Sequence, residues 1–156
     1  MRSLVTLTAV AVLFGGCGTD PISPDNGDTP LVNGSMSAKV DGDSWVANSA
    51  LTVAYTGGIL AFAGSDASML TIGMGFIPTG PGTYSIGPSE PTNANLSEGT
   101  VHSWAASSSM GSGSVTLTSF TENSASGTFS FTVEPVTTTG ATGSRLVTEG
   151  MFDVTF

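Results

Sequence analysis

Apolar and polar residues alternate with a period of two through most of this chain after Met36. The clearest run holds Phe129, Phe131 and Val133, each separated from the next by Ser or Thr. Successive side chains of a β-strand point to opposite faces, so this pattern gives each strand one apolar face. No stretch after Phe14 combines helix-forming residues with apolar positions at i, i+3 and i+4. The folded part is therefore expected to be all-β.

Turn residues divide the alternating runs into about nine or ten short strands. Asp41-Gly42 and Gly57-Gly58 separate neighbouring runs and are typical of tight hairpins, which predicts mostly antiparallel pairing. Residues 36–156 are therefore predicted to form a single antiparallel β-sandwich. A small, calycin-like β-barrel is the alternative, because the same alternation would also line the inside of a barrel.

Two segments lack the alternation and are predicted to be loops. Residues 87–99 contain two prolines and form the longest predicted stretch without a strand, and residues 107–113 are mostly Ser and Gly. Loops carry the binding residues of many rigid β scaffolds, so these two are the predicted functional surface. Gly73 and Gly75 predict that the strand formed by residues 70–76 is flattened or bulged.

The amino terminus resembles a bacterial lipoprotein signal peptide. Arg2 supplies a positive charge, residues 4–14 form an apolar run, and Gly15-Gly16 precede Cys17. The run has the length of a signal-peptide core and is shorter than the roughly 20 residues that span a bilayer. Cys17 is the one cysteine of the chain and stands where a lipobox cysteine is acylated, so lipidation is predicted there. Residues 1–16 are assigned to the signal peptide.

Residues 17–35 are predicted to be the lipidated amino terminus followed by a flexible linker. Three prolines and three aspartates occur in this stretch and oppose the formation of a packed core. A linker of this length spans roughly 20–25 Å. Gly18 follows the cysteine, where an Asp would retain an enterobacterial lipoprotein in the inner membrane. The predicted location is therefore the bacterial cell envelope, with a lipid anchor in the outer membrane.

The charge balance excludes several classes of partner. The chain has 12 acids and three bases, and removal of residues 1–16 would leave Lys39 and Arg145 as its bases. Nucleic-acid binding requires Lys and Arg that displace counterions from phosphates, so no nucleic-acid partner is expected. One cysteine excludes an internal disulfide, and one histidine excludes a site of several imidazoles. No cofactor and no metal site is predicted, since phosphate-binding loops and calcium-loop spacings do not occur.

His102 is the only imidazole that a catalytic site could use. A Ser-His-Asp site would need it, but the chain has no Gly-x-Ser-x-Gly segment, and a surface or packing role is favoured. Carboxylate pairs such as Glu90 with Glu98, or Asp41 with Asp43, carry little weight for glycosidase chemistry, because 12 acids make some pair inevitable. The protein is therefore predicted not to be an enzyme.

Four aromatic residues could stack against a sugar or an apolar ligand: Trp45, Tyr55, Tyr84 and Trp104. Aromatic residues of β proteins more often pack in the core, and that is the favoured interpretation here.

Three segments resemble an uncharacterised family of small bacterial secreted lipoprotein domains. They are residues 38–45 (Ala-Lys-Val-Asp-Gly-Asp-Ser-Trp), 126–131 (Ser-Gly-Thr-Phe-Ser-Phe) and 148–152 (Thr-Glu-Gly-Met-Phe). The family usually has Asn before the closing Gly, where this chain has Glu149. Because the family has no established activity, the resemblance implies the fold and secretion only, with Gly150 at a bulge before the last strand.

These observations predict a membrane-anchored cell-envelope lipoprotein with a non-enzymatic β domain. It would have a structural role or bind a protein or carbohydrate through its loops. The alternative is a carrier or binding module for an apolar ligand or a carbohydrate, and a hydrolase is less favoured. A carrier would show an open interior lined by Met69, Met74 or Phe76.

Overall fold

The computed structural model describes residues 33–156. Every regular element in this range is a β-strand, and no helix there is long and apolar enough to cross a membrane. The strands are β1 (Gly34–Val40), β2 (Asp43–Val46), β3 (Ala50–Thr56), β4 (Ile59–Ser65), β5 (Leu70–Phe76), β6 (Gly82–Ile86), β7 (Asn93–Glu98), β8 (His102–Ala106), β9 (Ser112–Phe120), β10 (Ser124–Pro135) and β11 (Arg145–Thr155). The predicted signal peptide, Cys17 and most of the predicted linker lie outside the described residues.

The strands form one strongly curled sheet whose two halves face each other. One half has the order β2-β1-β11-β10-β9-β6, and the other has the order β8-β7-β5-β4-β3. β10 belongs to both halves, because its residues 125–132 pair with β9 while Glu134 and Pro135 pair with β8. All strand pairs are antiparallel. The all-β prediction is confirmed, and the architecture lies between the predicted sandwich and its barrel alternative.

Large side chains fill the space between the two halves. The rings of Phe62 on β4 and Phe152 on β11 have centroids 4.7 Å apart, so side chains of the two halves touch at the centre. Phe76 on β5 contacts Tyr84 on β6 in the same way, at 5.1 Å. Leu60, like many of its neighbours in this core, is fully buried. Burial of this apolar surface is the main stabilising contribution to the fold.

The predicted hairpin turn after β1 is confirmed, and its geometry explains its sequence. Asp41 and Gly42 both have positive φ, 52° and 96°. Such angles are typical of the two-residue turn that matches the twist of antiparallel strands. Glycine adopts them without strain, and Asp tolerates them better than most residues.

The prediction of a strandless loop over residues 87–99 is wrong. β7 (Asn93–Glu98) occupies six of these thirteen residues and pairs with both β5 and β8. Ala94 and Leu96 point into the core, whereas Asn93 and Asn95 point outward. Asn has low strand propensity, so the alternation Asn-Ala-Asn-Leu did not indicate a strand, although pairing on both sides overrides propensity. Residues 33–156 therefore form eleven strands, and nearly half of one of the two predicted functional loops belongs to the sheet.

Two smaller predictions also need correction. Gly34 and Ser35, assigned to the linker, belong to β1 and pair with β11. The strand with Gly73 and Gly75 pairs with both neighbours without a register shift and is not bulged. A Cβ on Gly73 would lie 2.6 Å from Oδ1 of Asn95, so this glycine provides space for a neighbouring side chain.

A bulge does occur at Gly150, but it lies inside β11 and not before the last strand as predicted. Ser37 pairs with Met151 but Lys39 pairs with Thr148, so Glu149 and Gly150 together oppose one residue of β1. Glu149 has a φ of 51°, a conformation that Asn adopts more readily than Glu. Its carboxylate accepts a hydrogen bond from Nζ of Lys39 at 2.8 Å, which joins the opening and closing motifs.

Gly150→Ala should destabilise the domain, since its Cβ would lie 2.4 Å from two ring carbons of Phe129. We expect the free energy of unfolding to fall by about 1–3 kcal/mol, as for other overpacked cores. Urea unfolding measures this change. Gly75→Ala is the matched control, because its Cβ meets nothing closer than 3.5 Å. Equal losses for both variants would contradict the packing role of Gly150.

Candidate functional site: the Arg145 end

Charged and aromatic side chains from four separate segments meet at one end of the curled sheet, which we call the Arg145 end. They are Asp41 in the β1–β2 turn, Glu98 at the end of β7, His102 and Trp104 on β8, and Arg145 at the start of β11. Strand pairing positions them, because Glu98 pairs with His102 across the β7–β8 hairpin. The site is thus built by contacts between residues far apart in sequence.

Arg145 is the centre of this cluster. Its Nε donates a hydrogen bond to Asp41, and its Nη1 donates to Oε1 of Glu98 at 2.7 Å. Its guanidinium carbon lies 5.1 Å from the centroid of the Trp104 ring, within the range of a cation–π contact. A planar guanidinium can donate hydrogen bonds to two carboxylates and also lie over an aromatic ring. A lysine ammonium cannot make all three contacts at once.

Backbone contacts hold the same residues in place. The backbone N–H of Leu146 donates to Oδ1 of Asp41, and the N–H of Asp41 donates to the carbonyl of Leu146, both at 2.8 Å. Nε1 of Trp104 donates to the carbonyl of Gly143, also at 2.8 Å. The arginine is therefore preorganised from both sides, by the β1–β2 turn and by the segment that precedes β11.

Burial lowers the pKa of Arg145, but the hydrogen bonds and charges of Glu98 and Asp41 outweigh this effect, and the net pKa is raised. Because the pKa is raised in the folded state, the contribution of Arg145 to stability is fully present at any pH below the ordinary pKa of arginine. The contribution is lost only as the pH rises through that alkaline range. The positive charge at this end is thus constant across the physiological pH range.

His102 lies at the rim of the cluster and is partly exposed. Its Nδ1 is 4.0 Å from Oε2 of Glu98, and Gly140 stands beside the other edge of the ring. A nucleophilic hydroxyl would need to be within about 3.2 Å of the imidazole. The hydrogen bonds of residues 33–156 include none between His102 and a Ser or Thr. An acid is therefore present beside the histidine, but a nucleophile is not paired with it.

A polar hollow of about 230 Å³ opens at this end. It is lined by Glu98, His102, Trp104, Arg145 and the segment 140–142. The guanidinium is already shared between two carboxylates, so little of its positive charge is available to an anion. A small polar group, such as a side chain of a partner protein, could form hydrogen bonds in this hollow with the imidazole and with the Glu98 carboxylate, which accepts them.

Of the acids considered for a carboxylate pair, Glu90 and Glu98 lie in different surroundings. Glu90 lies in the connection before β7, away from Glu98, which Arg145 and His102 engage. Within residues 33–156, no three His, Cys, Asp or Glu side chains lie together as they would around a metal ion.

Most of the four aromatic residues singled out from the sequence pack in the interior. Trp45 and Trp104 are buried, and Nε1 of Trp45 donates to the carbonyl of Leu70 at 3.0 Å. The Tyr84 hydroxyl accepts from the N–H of Thr79 and donates to the Gly80 carbonyl. The interpretation of these three as core or rim residues is confirmed.

Tyr55 is the exception, and it belongs to an aromatic cluster that the sequence did not indicate. Its ring centroid lies 5.6 Å from that of Phe120 and 5.2 Å from that of Phe156. Tyr55 is 39% exposed, and both phenylalanines are partly exposed. The cluster lies beside Asn33, whose carbonyl accepts the N–H of Thr155. We call this region the Asn33 end.

The second predicted functional loop is a short turn. Ser107 and Met110 exchange backbone hydrogen bonds, and β9 begins at Ser112. Gly111 has a φ of 65°, and a Cβ there would lie 2.5 Å from the carbonyl oxygen of Thr132. The exposed residues of the predicted loop are Ser108, Ser109 and Ser112, and the last of these already belongs to β9.

Arg145→Ala should lower the free energy of unfolding by about 1–2 kcal/mol, because it removes the hydrogen bonds to two half-exposed carboxylates and the contact with the buried Trp104 ring. Arg145→Lys should recover less than half of this loss, since a single ammonium cannot hold both carboxylates. Lys39→Ala is the control: its ion pair with Glu149 is exposed and is worth less than about 0.5 kcal/mol. Urea unfolding of the three variants compares them, and equal effects of Arg145→Ala and Lys39→Ala would contradict a central role for Arg145.

Residues 32–154 match the family described as a domain of unknown function, DUF6252. The match covers most of the chain and almost all of the described sheet, so the chain belongs to this family. No curated protein and no solved structure matches it.

Proposed function

We propose that this protein is a lipid-anchored lipoprotein of the bacterial cell envelope whose β domain works by binding and not by catalysis. The lipid would be attached at Cys17, and the surface turns around the Arg145 end would contact a protein or carbohydrate partner. The observation that carries the proposal is the signal-peptide pattern that leads directly to the one cysteine of the chain.

The layout of the domain is compatible with such an anchor. The described chain starts at Asn33, next to β3 and the end of β11, since its side chain donates to the Leu51 carbonyl at 3.0 Å. Arg145, Glu98 and the Asp41 turn lie at the opposite ends of β1, β7 and β11. A domain tethered through Asn33 would therefore present the Arg145 end away from the membrane.

The packed interior supports binding at the surface over transport of an apolar molecule. Phe76 is buried in the contact with Tyr84, whereas Met69 is 65% exposed in a turn. Met74 borders a hollow of about 420 Å³, but this hollow lies on the outer face of β3, β4, β5 and β7. A carrier would need such a hollow between the two halves, where Phe62 and Phe152 are in contact.

Catalysis is also less well supported than binding. His102 has an acidic neighbour but no hydroxyl paired with it among the described residues. The carboxylates of Asp41 and Glu98 each accept a hydrogen bond from Arg145, so both are already engaged as ion-pair partners within the domain.

Cys17→Ser should abolish lipid attachment. In a bacterial host that processes lipoproteins, the full chain should incorporate labelled palmitate and sediment with membranes, and the variant should do neither. Ser3→Ala is the control, because it changes another residue of the predicted signal peptide and leaves Cys17 intact. An unlabelled, soluble wild-type chain would overturn the proposed anchor.

Crosslinking tests whether the Arg145 end and its turns make the partner contacts. A photoreactive amino acid at Thr100, in the turn between Glu98 and His102, or at Thr142, on the rim of the hollow, should give discrete adducts of higher mass in cells. The same group at Thr118, exposed on the outer face of β9, is the control and should give none. Adducts at Thr118 alone would contradict binding through the turns.

A further inference from the structure

We propose that the Asn33 end is a membrane-contact surface that rests on the neutral headgroups of a phospholipid bilayer. The inference rests on the proposed lipid anchor at Cys17. It adds an orientation: the domain would sit on the bilayer with one defined end down instead of rotating freely above it.

The first support is the chemistry of the exposed side chains at this end. Tyr55 packs against Phe120 and Phe156 and leaves part of its ring in solvent. The β3–β4 turn follows immediately, and Ile59 just beyond it is 49% exposed. Tyrosine has an apolar ring and a polar tip, which is the combination enriched where proteins meet headgroups.

The second support is the place where the chain arrives. Asn33 donates to Leu51 on β3 and accepts from Thr155, one residue before Phe156. Cys17 lies only 16 positions earlier in the sequence. As the flexible linker that its composition predicts, this stretch would have a root-mean-square span of roughly 20–25 Å, which is short enough for the Asn33 end of an anchored domain to reach the bilayer. The exposed aromatic cluster and the attachment point thus coincide.

The third support is the distribution of charge. Both bases of the described chain are occupied elsewhere, Lys39 by Glu149 and Arg145 by Asp41 and Glu98. Near the Asn33 end, the charged groups are Glu122 in the β9–β10 turn and Asp153 on the outer face of β11. Two acids without a nearby base would be repelled by an anionic surface, so the surface that fits is zwitterionic.

Spin labels measure the depth of this end directly. If Cys17 carries the lipid, its thiol is blocked, and an introduced cysteine is the one free thiol of the full chain. Nitroxide labels would be attached at Ile59→Cys and, at the opposite end, at Val101→Cys, both at exposed positions. Thermal unfolding of each labelled chain checks that the fold is retained, and Thr56→Cys replaces Ile59→Cys if that variant is destabilised.

The labelled, lipidated chains would be reconstituted in vesicles of phosphatidylcholine and phosphatidylethanolamine and floated on a density gradient. The label at position 59 should become several-fold less accessible to a water-soluble nickel chelate and more accessible to oxygen, while the label at position 101 should remain fully aqueous. Adding phosphatidylglycerol should reduce the protection at position 59.

Each outcome has a distinct meaning. Flotation with an aqueous label at position 59 overturns the membrane contact while the anchor stands. Failure of the wild-type chain to float and to carry lipid overturns the proposed function and this inference with it. Equal protection at positions 59 and 101 would mean no preferred orientation, which also overturns the inference.

Discussion

Pairing of β10 with both halves of the sheet is the constraint on which the rest of the structure depends. The first part of this 12-residue strand lies between β9 and β11 and pairs with both. Its last two residues pair with β8. One strand thus bends the whole sheet over a single core. Phe129, Phe131 and Val133 line the inner face of this strand and are all buried. That shared strand, together with the ring contacts in the core, fixes the two halves relative to each other and so brings Glu98 of one half to Arg145 of the other.

The sequence alone predicted the elements whose pattern is local. Alternation identified ten of the eleven strands, and Asp41-Gly42 identified a hairpin whose positive φ values the structure confirms. The missed strand, β7, carries outward-facing Asn93 and Asn95, residue types that usually indicate turns. Its strand conformation is imposed by two neighbours, which is information that no single segment contains.

Neither the Arg145 end nor the aromatic cluster at the Asn33 end could be predicted from the spacing of residues in the sequence. Asp41 and Arg145 are 104 positions apart, and Tyr55 meets Phe156 only because β3 passes the end of β11. Such contacts depend on the order of strands in the sheet, and the sequence predicted antiparallel pairing without an order. His102 and Glu98 were both singled out, but for separate chemistries, and their pairing across a hairpin became apparent only once β7 was placed.

The pairing of both bases has a consequence for how copies of the domain would meet. Lys39 and Arg145 are each engaged by acids of the same chain, so the described surface has no free cation to offer a second copy. The remaining acids of residues 33–156, including Asp43, Asp66 and Glu134, have no base beside them. At physiological salt, charges interact over about 8 Å, so neighbouring copies held on one surface would repel at close range. Such a population would spread into an evenly spaced layer and would resist clustering.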